Sequence, residues 1–122
     1  MIIMIVDDST VIRRKIERCE FINQQKIDSN NILQACNGVE AVEMFEQYRP
    51  DLITMDLTMP QMDGVECVQQ IVAKDSSVKI LVVSALTDKE TALQAIRNGA
   101  RGFLSKPFTE EQLSAALRQV SK

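Results

Sequence analysis

Residues 49–64 read Arg49-Pro50-Asp51-Leu52-Ile53-Thr54-Met55-Asp56-Leu57-Thr58-Met59-Pro60-Gln61-Met62-Asp63-Gly64, and they hold one complete unit of the fold. A proline disfavours the helical region for the residue before it, so Arg49-Pro50 closes a helix. Residues 52–55 form a short, nearly continuous apolar run, the pattern of a parallel strand buried on both faces. Asp56 stands where that run ends. Asp63, with Glu66 three residues on, has the spacing of a helix N-terminus.

The same unit repeats outward in both directions. Further apolar runs rich in β-branched residues lie at 2–6, 31–36, 78–83 and 102–104. Helix starts fall between them: Asn37 with Glu40, Thr87 with Glu90, and Thr109 with Gln112 each have capping-box spacing or a close variant. Apolar residues at helical spacing follow, as Val42/Phe45, Val68/Ile71/Val72, Leu93/Ile96 and Leu113/Ala116/Leu117/Val120, and predict core-facing stripes. A first helix is expected over about residues 10–24, with Ile12, Ile16 and Cys19 inward. Its Arg13, Arg14 and Lys15 read as a largely solvated face, with partner docking as the other use. Gly99 after Asn98 reads as a helix C-cap. The stretch 21–31 is long for a connection. Five strands alternating with five helices and short links predict an α/β doubly wound, five-stranded parallel sheet, as a single domain over residues 1–122.

Composition narrows the function classes. The 122 residues are 25% charged and 45% hydrophobic, ordinary usage for a chain with one core. No apolar run approaches the roughly 20 residues that cross a bilayer. The start, Met1-Ile2-Ile3-Met4-Ile5-Val6-Asp7-Asp8, lacks the basic region of a secretory signal, so a cytoplasmic protein is expected. With no histidine in the sequence, His-based triads and metal sites are excluded. Cys19, Cys36 and Cys67 are scattered, which argues for buried thiols rather than disulfides or zinc. The net charge of −3, with dispersed Lys and Arg, gives no nucleic-acid footprint.

In a sheet of this type ligands bind outside the carboxyl ends of the strands. Asp7-Asp8, Asp56, Ser84 and Ser105-Lys106 all fall there, with Asn37 close by. Asp7 and Asp8 can both face one crevice because the chain is leaving the sheet at that point. Two unit charges about 4 Å apart repel by roughly 4 kcal/mol at an effective dielectric near 20. Three carboxylates therefore need protons or cations, and Lys106 offsets one charge. A divalent cation would balance the others. Oxygen ligands without His or Cys favour Mg²⁺ over Zn²⁺. Taken singly, each residue has a plainer reading: Asp8 or Asp63 as a cap, Ser84 as a turn residue, Lys106 as a surface charge. Their joint placement at one rim is what those readings do not explain.

Those motifs, Val6-Asp7-Asp8-Ser9, the Asp-x-x-Met-Pro-x-Met-Asp-Gly run from Asp56, Val83-Ser84-Ala85 and Lys106-Pro107-Phe108, resemble the receiver domain of bacterial two-component response regulators. The resemblance extends from Ile2 to about Val120. It implies the flavodoxin-like (βα)5 receiver fold with strand order 2-1-3-4-5. It also implies that Asp56 is the phospho-acceptor, phosphorylated by a sensor histidine kinase or phosphotransfer protein. Mg²⁺ would be held by Asp8, Asp56 and the backbone carbonyl of Thr58, with Asp7 acting mainly through bound water. Lys106 and Ser84 would bind phosphoryl oxygens, and the Lys106-Pro107 peptide would be cis. Phe103 is the expected switch aromatic, turning inward beside the small Ala85, although a plain core role fits it too. The face of the fourth helix, fifth strand and fifth helix would carry the signal to a downstream protein. Ser84 stands where Thr is commoner and Phe103 where Tyr is. Thr58 and Leu86 occupy positions that tune phosphoryl lifetime.

Rival readings fit less well. A haloacid-dehalogenase-type phosphatase needs a second acid at the position held by Thr58. A dinucleotide-binding domain needs a Gly-rich turn in place of Asp7-Asp8-Ser9-Thr10. A receiver-like module that is never phosphorylated would not need the full site. A signalling protein rather than a turnover enzyme is expected, acting as a monomer without nucleic-acid or membrane contact. Chemotaxis, a phosphorelay intermediate, and a receiver excised from a longer transcriptional regulator remain open as its setting.

Overall fold

The computed structural model describes residues 1–59, 62–85 and 89–122. The helix start at Thr87, the lifetime position Leu86 and the Pro60-Gln61 part of the motif lie outside the described residues.

The strands are β1 (Ile3–Val6), β2 (Ile32–Ala35), β3 (Leu52–Met55), β4 (Lys79–Ser84) and β5 (Gly102–Ser105). They form one parallel sheet in the order β2-β1-β3-β4-β5, the predicted fold and order. Every residue of β1 and β3 is buried, which is why their sequences do not alternate in polarity. Met4, Val6, Ile53, Met55, Ile80 and Val82 point to one face. There they meet α3 (Gly38–Tyr48), α4 (Gly64–Lys74) and α5 (Lys89–Arg97) through residues such as Phe45, Val68, Ile71 and Ala95. Ile3, Ile5, Leu81 and Val83 serve the other face. It is covered by α1 (Thr10–Glu17), α2 (Glu20–Gln24) and α6 (Glu110–Val120) through Ile16, Phe21, Leu113, Leu117 and Val120.

The predicted caps form where they are described. Asn37 Oδ1 accepts from the Glu40 amide at 2.8 Å, and Asp63 Oδ1 from the Glu66 amide at 2.9 Å. Thr109 and Gln112 make a full reciprocal capping box. Arg49 closes α3 in the left-handed region at φ 48. Gly99, at φ 116, closes α5 in a Schellman turn: its amide bonds Ile96 and that of Ala100 bonds Ala95.

Three expectations are corrected. The first helix is two, because the chain turns extended at Cys19 (ψ 156) and restarts at Glu20. Tertiary partners reward the break: the Glu20 amide donates to Glu110 and the Phe21 amide to Ser114 Oγ, both on α6. With the 3-10 turn Ser29–Asn31, α2 accounts for the long stretch before β2. Leu93 and Ile96 are not a core stripe, being 48% and 41% exposed. Helix α5 buries Ala95 instead, so it packs close to the sheet through a small side chain and turns its larger ones outward. Finally, Cys36 is exposed while Cys19 and Cys67 are buried.

Candidate functional site

Four strand ends converge at one rim. The ladder continues past β1 and β3, since the Asp7 amide donates to Ala35 O and the Asp56 amide to Val6 O. That continuation sets Asp7 and Asp56 side by side, 1% and 2% exposed. Asp8, the next residue, is exposed. Asp7, Asp8 and Asp56 each offer a carboxylate oxygen, and the three lie within 4.8 Å of one another. These are hard oxygen donors with one side open to water, a set suited to a divalent cation that keeps part of its hydration.

Asp56 is held by its neighbours. Its Oδ1 accepts from the Thr58 amide at 3.1 Å, from Thr58 Oγ1 at 3.2 Å and from Ser84 Oγ at 3.2 Å. Ser84, at the end of β4, is fully buried. Lys106 Nζ lies 3.7 Å from Asp56 Oδ2 and 2.7 Å from Asp7 Oδ2. The lysine reaches inward from just past β5, where its own amide donates to Ser84 O and where Lys106-Pro107 is cis. Asp7 uses both carboxylate oxygens, because Oδ1 accepts from the Ser9 amide at 2.9 Å. Burial pushes its carboxyl above the usual carboxylate range, against Lys106 and the Ser9 amide, which favour the charged form.

All the predicted residues of the acid and phosphoryl site, Asp7, Asp8, Asp56, Thr58, Ser84 and Lys106, therefore meet. Phe103 stands apart, 39% exposed on the edge strand β5. Asn37 does not join them and serves as the α3 cap. Gly64 holds the site from behind. A Cβ there would lie 2.4 Å from Asp56 O and from Leu57 Cα, so only glycine lets the start of α4 approach the chain this closely. Sequence reasoning missed Arg13. Its Nη1 donates to the Asp7 carbonyl at 2.7 Å, so it is half-buried against the site rather than turned to solvent. Lys15 is also engaged, donating to Phe108 O at 3.2 Å and lying 4.7 Å over that ring. One signal pointed to Arg13: it sits one helical turn beyond Ser9-Thr10, within reach of the preceding strand end.

Comparison with known proteins agrees with this geometry. The family model for the response regulator receiver domain matches residues 3–118. The chain is 37% identical to the chemotaxis protein CheY of Listeria monocytogenes over 120 residues, covering 98% of each chain. It is 36% identical to CheY of Thermotoga maritima, covering 98% of this chain and 97% of that one. Among solved structures, the CheX-CheY-BeF3-Mg complex from Borrelia burgdorferi contains a chain that superposes with a TM-score of 0.87 at 26% identity. That match covers 98% of this chain and 88% of the other. With the family model matched over nearly the whole chain and full-length relatives above 30% identity, the chain that carries this rim of three aspartates, a hydroxyl and an inward lysine belongs to the response regulator receiver domain family.

Proposed function

We propose that Asp56 accepts a phosphoryl group from a histidine kinase or phosphotransfer protein and that the resulting acyl phosphate is the signal. The observation that carries this reading is the environment of Asp56: buried, with Lys106 and Ser84 against it and two further carboxylates beside it. An Asp56 oxygen would attack the phosphorus of a phosphohistidine as the P–N bond breaks and the imidazole nitrogen keeps the electron pair. Asp8, Asp56 and the Thr58 backbone carbonyl would hold Mg²⁺, which when bound supplies neutralising charge for the attacking and phosphoryl oxygens. Asp7 has both oxygens engaged by protein donors, which favours a role through water. Thr58 offers a hydroxyl where a phosphatase would need a second acid, so the product would persist as a signal.

The output follows from the same contacts. Ser84 Oγ and Lys106 Nζ now donate to Asp56 and Asp7. New phosphoryl oxygens would draw both inward and bias a pre-existing equilibrium. Phe103, exposed on β5, would then turn toward the space beside Ala85. Leu93, Ile96 and Phe103 leave large apolar side chains exposed on α5 and β5, which supports the α5-β5-α6 face as the one that meets a downstream protein.

We assign the chain over residues 1–122 as one receiver, a monomeric signalling protein of the cytoplasm that promotes its own phosphoryl transfer and loss. Among the described residues no helix is long and apolar enough to cross a membrane. Chemotaxis is the favoured pathway, since the chemotaxis relatives match along nearly their whole length. Incubation with acetyl phosphate and Mg²⁺ should add one phosphoryl group by intact mass and none when the metal is chelated. An unmodified mass under both conditions would overturn the proposal.

A further inference from the structure

Arg13 does more than line the site. Asp7 and Asp8 are consecutive, joined by a single peptide, and each offers a carboxylate oxygen to the same cluster. The carbonyl of that peptide is the group Arg13 Nη1 grips at 2.7 Å. Two further hydrogen bonds hold the guanidinium. Its Nε donates to Gln34 Oε1 at 3.1 Å and its Nη2 to Thr10 Oγ1 at 3.1 Å. Gln34 is held in turn, donating through Nε2 to Glu17 Oε2 at 2.9 Å. Three acceptors on two strand ends and one helix are thus bound by one planar fork, which a lysine cannot imitate.

We propose that Arg13 is a positioning residue for the acid pair, with Gln34 on β2 as its support: together they fix the Asp7–Asp8 peptide and hence where Asp8 points. This rests on the reading of Asp7, Asp8 and Asp56 as a cation site. The sign of the effect separates positioning from plain charge. As a nearby positive charge Arg13 repels a divalent cation, so its removal would tighten binding if charge were its contribution. As a positioning residue its removal weakens binding, because groups that orient metal ligands are worth about 10–100-fold in affinity.

The test is Mg²⁺ titration of the intact chain, followed by amide shifts in the NMR spectrum, with a urea melt of each variant. Arg13→Met should bind Mg²⁺ about tenfold more weakly. Arg13→Lys, which keeps the charge and loses the fork, should also weaken it. Gln34→Leu should weaken it too, by less than Arg13→Met, although the side chain touches no carboxylate of the cluster, since it removes one support rather than the grip itself. Lys15→Met is the control: it removes a cation from the same helix that contacts Phe108, and Mg²⁺ affinity should not change. Unchanged or tighter binding in Arg13→Met, or full affinity in Arg13→Lys, overturns the proposal. Failure of the unsubstituted protein to bind Mg²⁺ at all would instead overturn the cation site, and the proposal with it.

Discussion

Replacing Gly64 with alanine should damage the fold and the site together. The added Cβ would stand 2.4 Å from Asp56 O, 2.4 Å from Leu57 Cα and 2.8 Å from Leu57 Cδ2. Carbon contacts are comfortable at about 3.5–4 Å, so the start of α4 and the chain after β3 must separate by about 1 Å. Two of the three obstacles are backbone atoms, which cannot rotate aside. The Gly64 amide is also bonded to Leu57 O at 3.0 Å, so the two segments are tied where they would have to part. Overpacking of this kind costs about 3 kcal/mol at its upper range, and alanine's better helix propensity returns up to about 1 kcal/mol. A net loss of about 2 kcal/mol corresponds to a Tm lower by about 8 °C in a chain of this size. The displaced carbonyl belongs to Asp56 itself. A shift of about 1 Å in a reacting group can cost on the order of a hundredfold in rate, so phosphorylation by acetyl phosphate should slow by more than about tenfold. Differential scanning calorimetry and a time course of intact mass read the two effects. An unchanged Tm with an unchanged rate would refute the close-approach argument.

Three further outcomes are expected. Thr54 Oγ1 is buried without a hydrogen-bond partner among the described residues, in register with the apolar Ile5 and Leu81. Thr54→Val should therefore stabilise the protein by about 1 kcal/mol in urea melts, and a loss of that size would contradict the assignment. Lys106→Met leaves the buried Asp7 carboxylate without its cation. Because Lys106 keeps 17% exposure, the loss is reduced from the fully buried case to about 2 kcal/mol without metal, and Mg²⁺ should restore more stability to the variant than to the parent. Equal Mg²⁺ effects would sink that reasoning. In a thiol-reagent assay Cys36 should react rapidly, while Cys19 and Cys67 wait for unfolding; three equally fast thiols would contradict their burial. Burial pushes the Cys67 thiol up to about 12, so its neutral form is favoured in the fold. Its contribution is full below the unfolded value near 9.0 and is lost as pH rises toward 12.

Much of this molecule was legible in its sequence because the relevant signals are local. Parallel strands buried on both faces write themselves as apolar runs, and caps such as Asn37, Asp63 and Thr109 bind amides only three residues away. The acid site was legible for a related reason: on this sheet every strand end points to the same rim, so order along the chain fixes proximity in space. What escaped depends on partners distant in sequence. The break at Cys19 is set by Glu110 and Ser114, some ninety positions away. Leu93 and Ile96 have helical spacing, but whether that stripe faces inward depends on the sheet wanting a small residue, Ala95. Arg13 and Lys15 look like solvent charges until the Asp7 and Phe108 carbonyls they bind are in place. Gly64 could be seen as part of a motif, yet its reason is an approach of two backbones.

Asp56 is proposed as the residue that carries the phosphoryl group. Borohydride reduces an acyl phosphate to the alcohol, so treating the phosphorylated protein and mapping its peptides by mass spectrometry locates the modified carboxyl directly. Homoserine at position 56, with no modification in Asp56→Asn, is the predicted result. Modification at Asp7 or Asp8 instead, or an Asp56→Asn protein that still takes up the phosphoryl group, would contradict it.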